Sequence, residues 1–304
     1  MPRSVMERLQ TAQGRADARY RISRAANRAL YPLGFVLLSD HFTQPVPARE
    51  ALLDHDQRCP YVLDSLDEQA EQVGELAAAH GHELATELFS FGYGRARDQL
   101  PQVDAAVLYA MVRREQPSRV IEIGSGSSST AVIASALARN AIVDGVKSNF
   151  ISIDPFATPR VEASLPESVR FEHWPEPLQK VDRSLWSTLT ASDVLFVDSS
   201  HVFKPGSDVE YEFMHVYPAL ATGVAVHLHD IFFPDDYPTA WNVEDSRFWN
   251  EQHVLAVVLQ SSSRYEVLMC LAALHRERPE ALQQLVPSFD GSYSPGSIWL
   301  RVAA

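Results

Sequence analysis

The twelve residues Arg119–Thr130, R-V-I-E-I-G-S-G-S-S-S-T, constrain this chain more than any other stretch. A run rich in β-branched residues carries an acidic side chain, turns at G-x-G, and opens an amphipathic stretch through small hydroxyl residues. That order predicts a strand, a tight backbone turn and a helix N-terminus, a frame for an adenine-containing ligand. Glycines at 124 and 126 let the backbone approach such a ligand with no Cβ in the way.

From Arg119 onward the pattern alternates strand and helix. Strands are predicted at 119–123, 150–154, 169–174, 193–198, 223–229, 265–271 and 297–302, with helices at 128–139, 207–216 and 250–260. Such alternation implies an α/β fold, a largely parallel sheet with helices on both faces. Ligands of these sheets sit beyond the carboxyl ends of the strands, and those ends carry Glu122, Asp154, Trp174, Asp198 and His229–Asp230.

The first hundred residues read differently. Residues 1–30 are helical in pattern and hold seven arginines, from Arg3 to Arg28, with Val5, Leu9, Ile22 and Leu30 among the members of an apolar stripe. A short apolar run and then a polar, proline-punctuated loop follow over 33–47, a helix at 65–80 ended by Gly81, and an aromatic and glycine loop at 89–97. Asp104 is expected to cap the next helix. The division predicted is therefore 1–100, a helical or lid region, and 101–304, the ligand-binding catalytic domain.

Composition narrows the partners. Lys and Arg number 26 against 39 Asp and Glu, a net charge of -13, which disfavours nucleic acid. Two cysteines without C-x-x-C spacing suit neither a disulfide framework nor a zinc ribbon. No apolar run approaches the roughly 20 residues of a membrane span, and no secretory leader is visible, so a cytoplasmic protein with no membrane partner is expected. The arginine-rich first helix is a candidate lid or homodimer element.

Glu122, two residues ahead of the first glycine, would repel a pyrophosphate and suit a cation, and Ser129 stands where a dinucleotide fingerprint has its third glycine. S-adenosylmethionine carries an ammonium and a sulfonium and no phosphate. It is therefore the expected cofactor, held by Glu122, Gly124, Ser125, Gly126, Ser128 and Asp198, with Asp154 accepting hydrogen bonds from the ribose hydroxyls.

Two later strand ends carry the chemistry. D-V-L-F-V-D-S-S-H places Asp198 and His201 at one, and G-V-A-V-H-L-H-D-I places His227, His229 and Asp230 at the other. Period-two alternation puts His227 and His229 on one face and Asp230 on the other; His227 is expected to be a packed core histidine. Oxygen ligands with one imidazole suit Mg²⁺ or Mn²⁺, which would orient a substrate hydroxyl and lower its pKa. His201 is the candidate general base, with Asp198 beside it. The loop at 231–241 is expected to wall or lid the site.

Taken together, E-I-G-S-G-S-S (122–128), D-P (154–155), F-V-D-S-S-H-V (196–202), G-S-D-V (206–209) and H-L-H-D-I-F-F-P-D-D-Y-P (227–238) resemble the class I S-adenosylmethionine-dependent methyltransferases, in a bacterial small-molecule branch. The resemblance covers about residues 103–271. It implies a Rossmann-like sheet of seven strands, the last antiparallel, with a helical N-terminal extension. It also implies metal ligands at Asp198 and Asp230, with His229 standing where the metal-dependent O-methyltransferases have an acidic residue.

The reaction expected is methyl transfer to an oxygen or nitrogen of a small molecule, of the kind met in secondary metabolism. Alternatives left open are aminocarboxypropyl transfer or cofactor cyclisation, a non-catalytic cofactor-binding subunit, a peptide acceptor and, more remotely, an NAD-dependent dehydrogenase.

Overall fold

The computed structural model describes residues 12–38, 46, 52, 59–84, 86, 100–124, 127–156 and 165–304. The expectations for Arg3, Arg8, Val5 and Leu9, for the 89–97 loop and for all but Val46 of the 41–47 loop lie outside the described residues, as do Ser125 and Gly126. The chain divides into two compact units: Met1–Gln57 with Tyr237–Phe248, and Arg58–Asp236 with Trp249–Ala304.

In the first unit, helix α1 spans Ala12–Leu30. A 3-10 turn at Tyr31–Leu33 follows and ends where Gly34, at φ 80°, turns its N–H back to the Tyr31 carbonyl. The side-chain amide of Asn27 then brackets Leu37, donating to its carbonyl at 2.9 Å and accepting from its N–H at 2.7 Å. Of the apolar stripe expected on α1, Tyr20, Ala26 and Leu30 are half-buried. Ile22 is 66% exposed, whereas Ser23 is buried with its hydroxyl donating to the Tyr20 carbonyl. A short helix at Thr239–Val243 completes the described part of this unit, and the Arg247 guanidinium stacks over the Trp241 ring at 4.3 Å.

The second unit is built on a seven-stranded sheet in the order β3-β2-β1-β4-β5-β7-β6. Its strands are β1 (Arg119–Ile123), β2 (Ser148–Ile153), β3 (Val169–Trp174), β4 (Val194–Val197), β5 (Ala225–His229), β6 (Tyr265–Cys270) and β7 (Ser297–Val302). The neighbours from β3 to β5 pair in parallel; β7 enters between β5 and β6 antiparallel to both. This is the predicted sheet, with predicted and observed strand limits within about two residues of each other.

The helices are α2 (Leu66–Glu83), α3 (Gln102–Glu115), α4 (Ser127–Arg139), α5 (Asp208–Tyr211), α6 (Glu251–Ser261), α7 (Leu271–Glu277) and α8 (Pro279–Leu285). Helix α2 lies ahead of the boundary expected at residue 100, yet Val73 and Leu76 pack it into the core of the sheet unit beside α3. It also runs through Gly81 rather than stopping there.

Strand alternation divides the core into two layers. Val120, Phe150, Phe196 and Trp299 face the layer shared with α2, α3 and α4. Ile121, Ile151, Leu195, Leu228 and Leu300 face the other, shared with α6. At roughly 1.5–3 kcal/mol per buried large apolar side chain, both layers hold the strands firmly enough to fix where their ends fall.

Asp104 does not cap α3. Pro101 holds the cap position, and Asp104 is fully buried, its Oδ1 accepting from the Ser297 hydroxyl at 2.7 Å. Burial pushes its carboxyl up to about 6.

Candidate active site

β1 has β2 on one side and β4 on the other, so connections leave it in opposite directions. Such a reversal opens a crevice at the carboxyl ends of the strands. A cleft of about 550 Å³ lies there, with Gly124, Asp154, Phe156, Leu178, Asp198 and Lys204 among its walls. That volume falls within the usual range for small-molecule sites.

Gly124 is fixed by two conditions at once. Its φ is +78°, and an added Cβ would stand 1.8 Å from the Asp198 carbonyl oxygen. The Gly124 N–H donates to the Ile153 carbonyl at 3.0 Å and the Asp198 N–H to the Ile123 carbonyl at 2.9 Å, which stitches the three strand ends together. Asp154 follows β2 directly, in the cleft wall, where its Oδ1 accepts from the Phe156 N–H at 2.6 Å.

Glu122 is a correction. The ammonium neighbour expected from the sequence is fully buried, outside the cleft lining, and surrounded by hydroxyls. Ser129 and Thr130 in the first turn of α4 donate to it at 2.7 and 2.8 Å. Ser152, its register partner on β2, donates at 2.7 Å. Burial outweighs these bonds and pushes the carboxyl up to about 7. Glu122 thus ties α4 to the two central strands from behind the cleft. Ser128 likewise faces inward, its Oγ accepting from the Leu100 N–H.

At the opposite edge of the cleft the two later strand ends meet. His201 Nε2 lies 3.3 Å from Asp198 Oδ1 and 3.5 Å from Asp230 Oδ2, while His201 Nδ1 lies 2.9 Å from Glu251 Oε2. One ligand atom from each of Asp198, His201 and Asp230 falls within 4.8 Å of the others.

His201 and Asp230 both hold left-handed backbones, at φ 58° and 56°. This conformation costs a residue with a Cβ about 1–2 kcal/mol, and strain of this kind clusters at functional sites. Burial would depress the His201 pKa, but the carboxylates of Asp198 and Glu251 more than offset it and raise it well above the ordinary value. Asp198 is held below the ordinary carboxylate range, because the histidines and the His201 hydrogen bond outweigh its burial.

His229 lies beside this group, its charge interacting with Asp198 and Asp230. Its Nε2 is 3.8 Å from Asp230 Oδ1, and its ring lies on the α3 face of the sheet, parallel to His227 at 5.8 Å. Among the described residues the three whose ligand atoms lie closest together are Asp198, His201 and Asp230, with the expected ligand His229 next to Asp230. His227 is packed between Phe196 and Trp299, and burial holds its pKa well below the ordinary value, so it is a neutral core ring.

Two motif segments serve the loops around the site. Ser207 Oγ accepts from the Glu210 N–H, capping α5, and Asp208 accepts from both the backbone and the hydroxyl of Ser200. After β5, Ile231 and Phe233 of the expected lid are core residues. Sequence reasoning passed over Trp249 and Glu251. The available signal was a tryptophan and an acid at a helix start, a common enough pair to carry no weight without the fold.

Residues 121–231 match a family model described as a methyltransferase domain. The matched segment runs from β1 to just past the end of β5 and so contains both later strand ends. No curated protein sequence matches the chain significantly.

Similar solved structures include an O-methyltransferase from Streptomyces achromogenes involved in tomaymycin synthesis, in complex with S-adenosylmethionine. It shares 18% identity over 77% of this chain and 90% of that one, with a TM-score of 0.41. The S-adenosylhomocysteine-bound methyltransferase of Podospora anserina shares 15% over 75% and 88%, at 0.41. A Bacillus cereus O-methyltransferase shares 14% over 81% and 96%, at 0.40.

Proposed function

We propose that this enzyme methylates a hydroxyl oxygen of a polar small molecule bound at Asp198, His201 and Asp230. One observation carries the reading. Asp198 is at once a wall of the cofactor cleft and a member of the three-residue cluster, so donor and acceptor sites share an edge. A nucleophile held at the cluster would lie beside the cleft's contents, and positioning of that kind supplies much of the rate for an already activated donor.

Cofactor binding is assigned to Gly124, Asp154 and Asp198, with Lys204 and the exposed ring of Phe156 at the rim. The cluster also fits a divalent cation. Ligand oxygens and nitrogens set at right angles about Mg²⁺ lie roughly 3.0 Å apart, given metal–ligand distances of about 2.1 Å. The separations here are 3.3 and 3.5 Å, and two carboxylates with one imidazole are a suitable donor set. When bound, such an ion would supply Lewis-acid polarisation of the acceptor hydroxyl.

The residues' own part begins with a proton. Asp198 and Glu251 favour the protonated form of His201, whose Nε2 lies between Asp198 and Asp230. As a ligand to a cation, His201 would have to be free of its Nε2 proton. A neutral His201 can then serve as ligand or as base toward the acceptor. In the transfer the sulfur–methyl bond breaks as the oxygen–carbon bond forms, and the hydroxyl proton passes to neutral His201.

The test is mass spectrometry of the purified protein with S-adenosylmethionine and a panel of small hydroxylated acceptors, with and without Mg²⁺. An acceptor heavier by one methylene, with S-adenosylhomocysteine as co-product, supports the reading. Methylthioadenosine as the co-product would replace it with aminocarboxypropyl transfer or cyclisation.

A further inference from the structure

Four consecutive residues at the start of α6 grip both loops that form the site. The Trp249 ring packs on the His201 ring with centroids 4.3 Å apart. The backbone N–H groups of Asn250 and Glu251 both donate to the His201 carbonyl, at 3.0 and 3.2 Å. The Asn250 side chain accepts from the Phe203 N–H and donates to the Phe203 carbonyl. Gln252 holds the other loop, accepting from the Phe232 N–H at 3.0 Å and donating to Asp236 at 3.1 Å.

Within this clamp one contact has a direction that packing alone does not explain. The Glu251 carboxylate, 1% exposed, lies 2.9 Å from His201 Nδ1. An imidazole has two nitrogens on opposite sides of the ring, so a carboxylate fixed on Nδ1 determines where Nε2 points. Here that is toward both aspartates. Carboxylates that hold the far nitrogen of a ligating or reacting histidine set its tautomer and its basicity.

Glu212, fully buried near Glu251, is pushed well above the carboxylate range by burial and then by the Glu251 charge. The left-handed backbone of His201 is likewise held in place by the two N–H donors from α6.

We propose that Glu251 is the positioning residue of this site, holding the His201 ring so that Nε2 faces Asp198 and Asp230. The proposal rests on the reading of those three residues as one functional cluster.

Two measurements on the full chain test it. In protein with ¹⁵N-labelled histidine, the Glu251-bonded Nδ1 proton should give a downfield resonance that is absent from His201→Ala. It should vanish in Glu251→Ala and return, at a different shift, in Glu251→Gln, whose amide oxygen still accepts. Mn²⁺ alone is then titrated by electron paramagnetic resonance. Glu251→Ala should bind it roughly 10–100-fold more weakly, with Glu251→Gln in between and S-adenosylmethionine affinity retained as the control for folding.

Persistence of the proton resonance in Glu251→Ala, or unchanged Mn²⁺ affinity in a variant that still binds S-adenosylmethionine, overturns the assignment. A wild-type protein that binds no Mn²⁺ would remove the cation reading alone, and the proton resonance would then decide on Glu251.

Discussion

The carbonyl oxygen of Asp198 occupies the space in which residue 124 would carry a Cβ, 1.8 Å from its ideal position. Two strand ends from distant parts of the sequence can meet this closely only because one of them ends in glycine. Gly124→Ala faces a backbone clash that no rotamer relieves, together with a φ of +78°, itself worth about 1–2 kcal/mol of strain. We expect a loss of about 3 kcal/mol or more, measured by chemical denaturation, and no measurable S-adenosylmethionine binding. A variant with wild-type stability would mean that the β1 and β4 ends can separate without cost.

Asp154 should behave differently, because it lies at the cleft and not in the core. Removing a charged acceptor from a hydrogen bond costs about 1.5–3 kcal/mol, or roughly 10–100-fold in affinity. Asp154→Ala should show that loss for S-adenosylmethionine by calorimetry, with an unfolding midpoint close to wild type. Wild-type affinity would remove Asp154 from the cofactor site.

Glu122 makes stability depend on pH. Its carboxyl stands at about 7 in the folded protein against 4.5 for the free group. Below 4.5 both states hold the proton and its contribution is complete. Between 4.5 and 7 the unfolded chain releases its proton while the folded one keeps it, so stability falls as pH rises. The loss levels off above 7, at roughly 3 kcal/mol. Glu122→Gln removes this component, and denaturation curves from pH 4 to 8 should be flatter for the variant. Parallel pH profiles for the two proteins would show that Glu122 does not titrate in this window.

The sheet was legible in the sequence because buried strands leave a plain record. Apolar runs such as Val194–Val197 and Ala225–His229 end in polar residues where the chain leaves the core. The cluster of Asp198, His201 and Asp230 was legible in part, since parallel strands bring such ends together. Orientation was not. Glu122 and Asp154 are both acids at the carboxyl ends of adjacent strands, and alternation alone does not say which faces solvent. Three hydroxyls supplied by α4 and β2 turn Glu122 inward. His201 and His229 were likewise interchangeable as ligands until backbone geometry separated them. A left-handed turn at 201 swings that ring toward the aspartates, while strand β5 keeps His229 on the α3 face. Positive φ at a histidine has no sequence signature.

The two aspartates divide the site and can be separated by mutation. Asp198 borders the cofactor cleft and the cluster, whereas Asp230 is part of the cluster without lining that cleft. Asp198→Ala should therefore weaken both S-adenosylmethionine and Mn²⁺, and Asp230→Ala only Mn²⁺, with cofactor affinity within about twofold of wild type, or roughly 0.4 kcal/mol. Methyl transfer should fall in both variants, and in wild type treated with a chelator if the cation is part of the reaction. Calorimetry of the two ligands against each variant is the direct check. Equal loss of cofactor affinity in Asp230→Ala would mean that the cleft and the cluster are one undivided pocket, and the separate acceptor position at Asp198, His201 and Asp230 would fall.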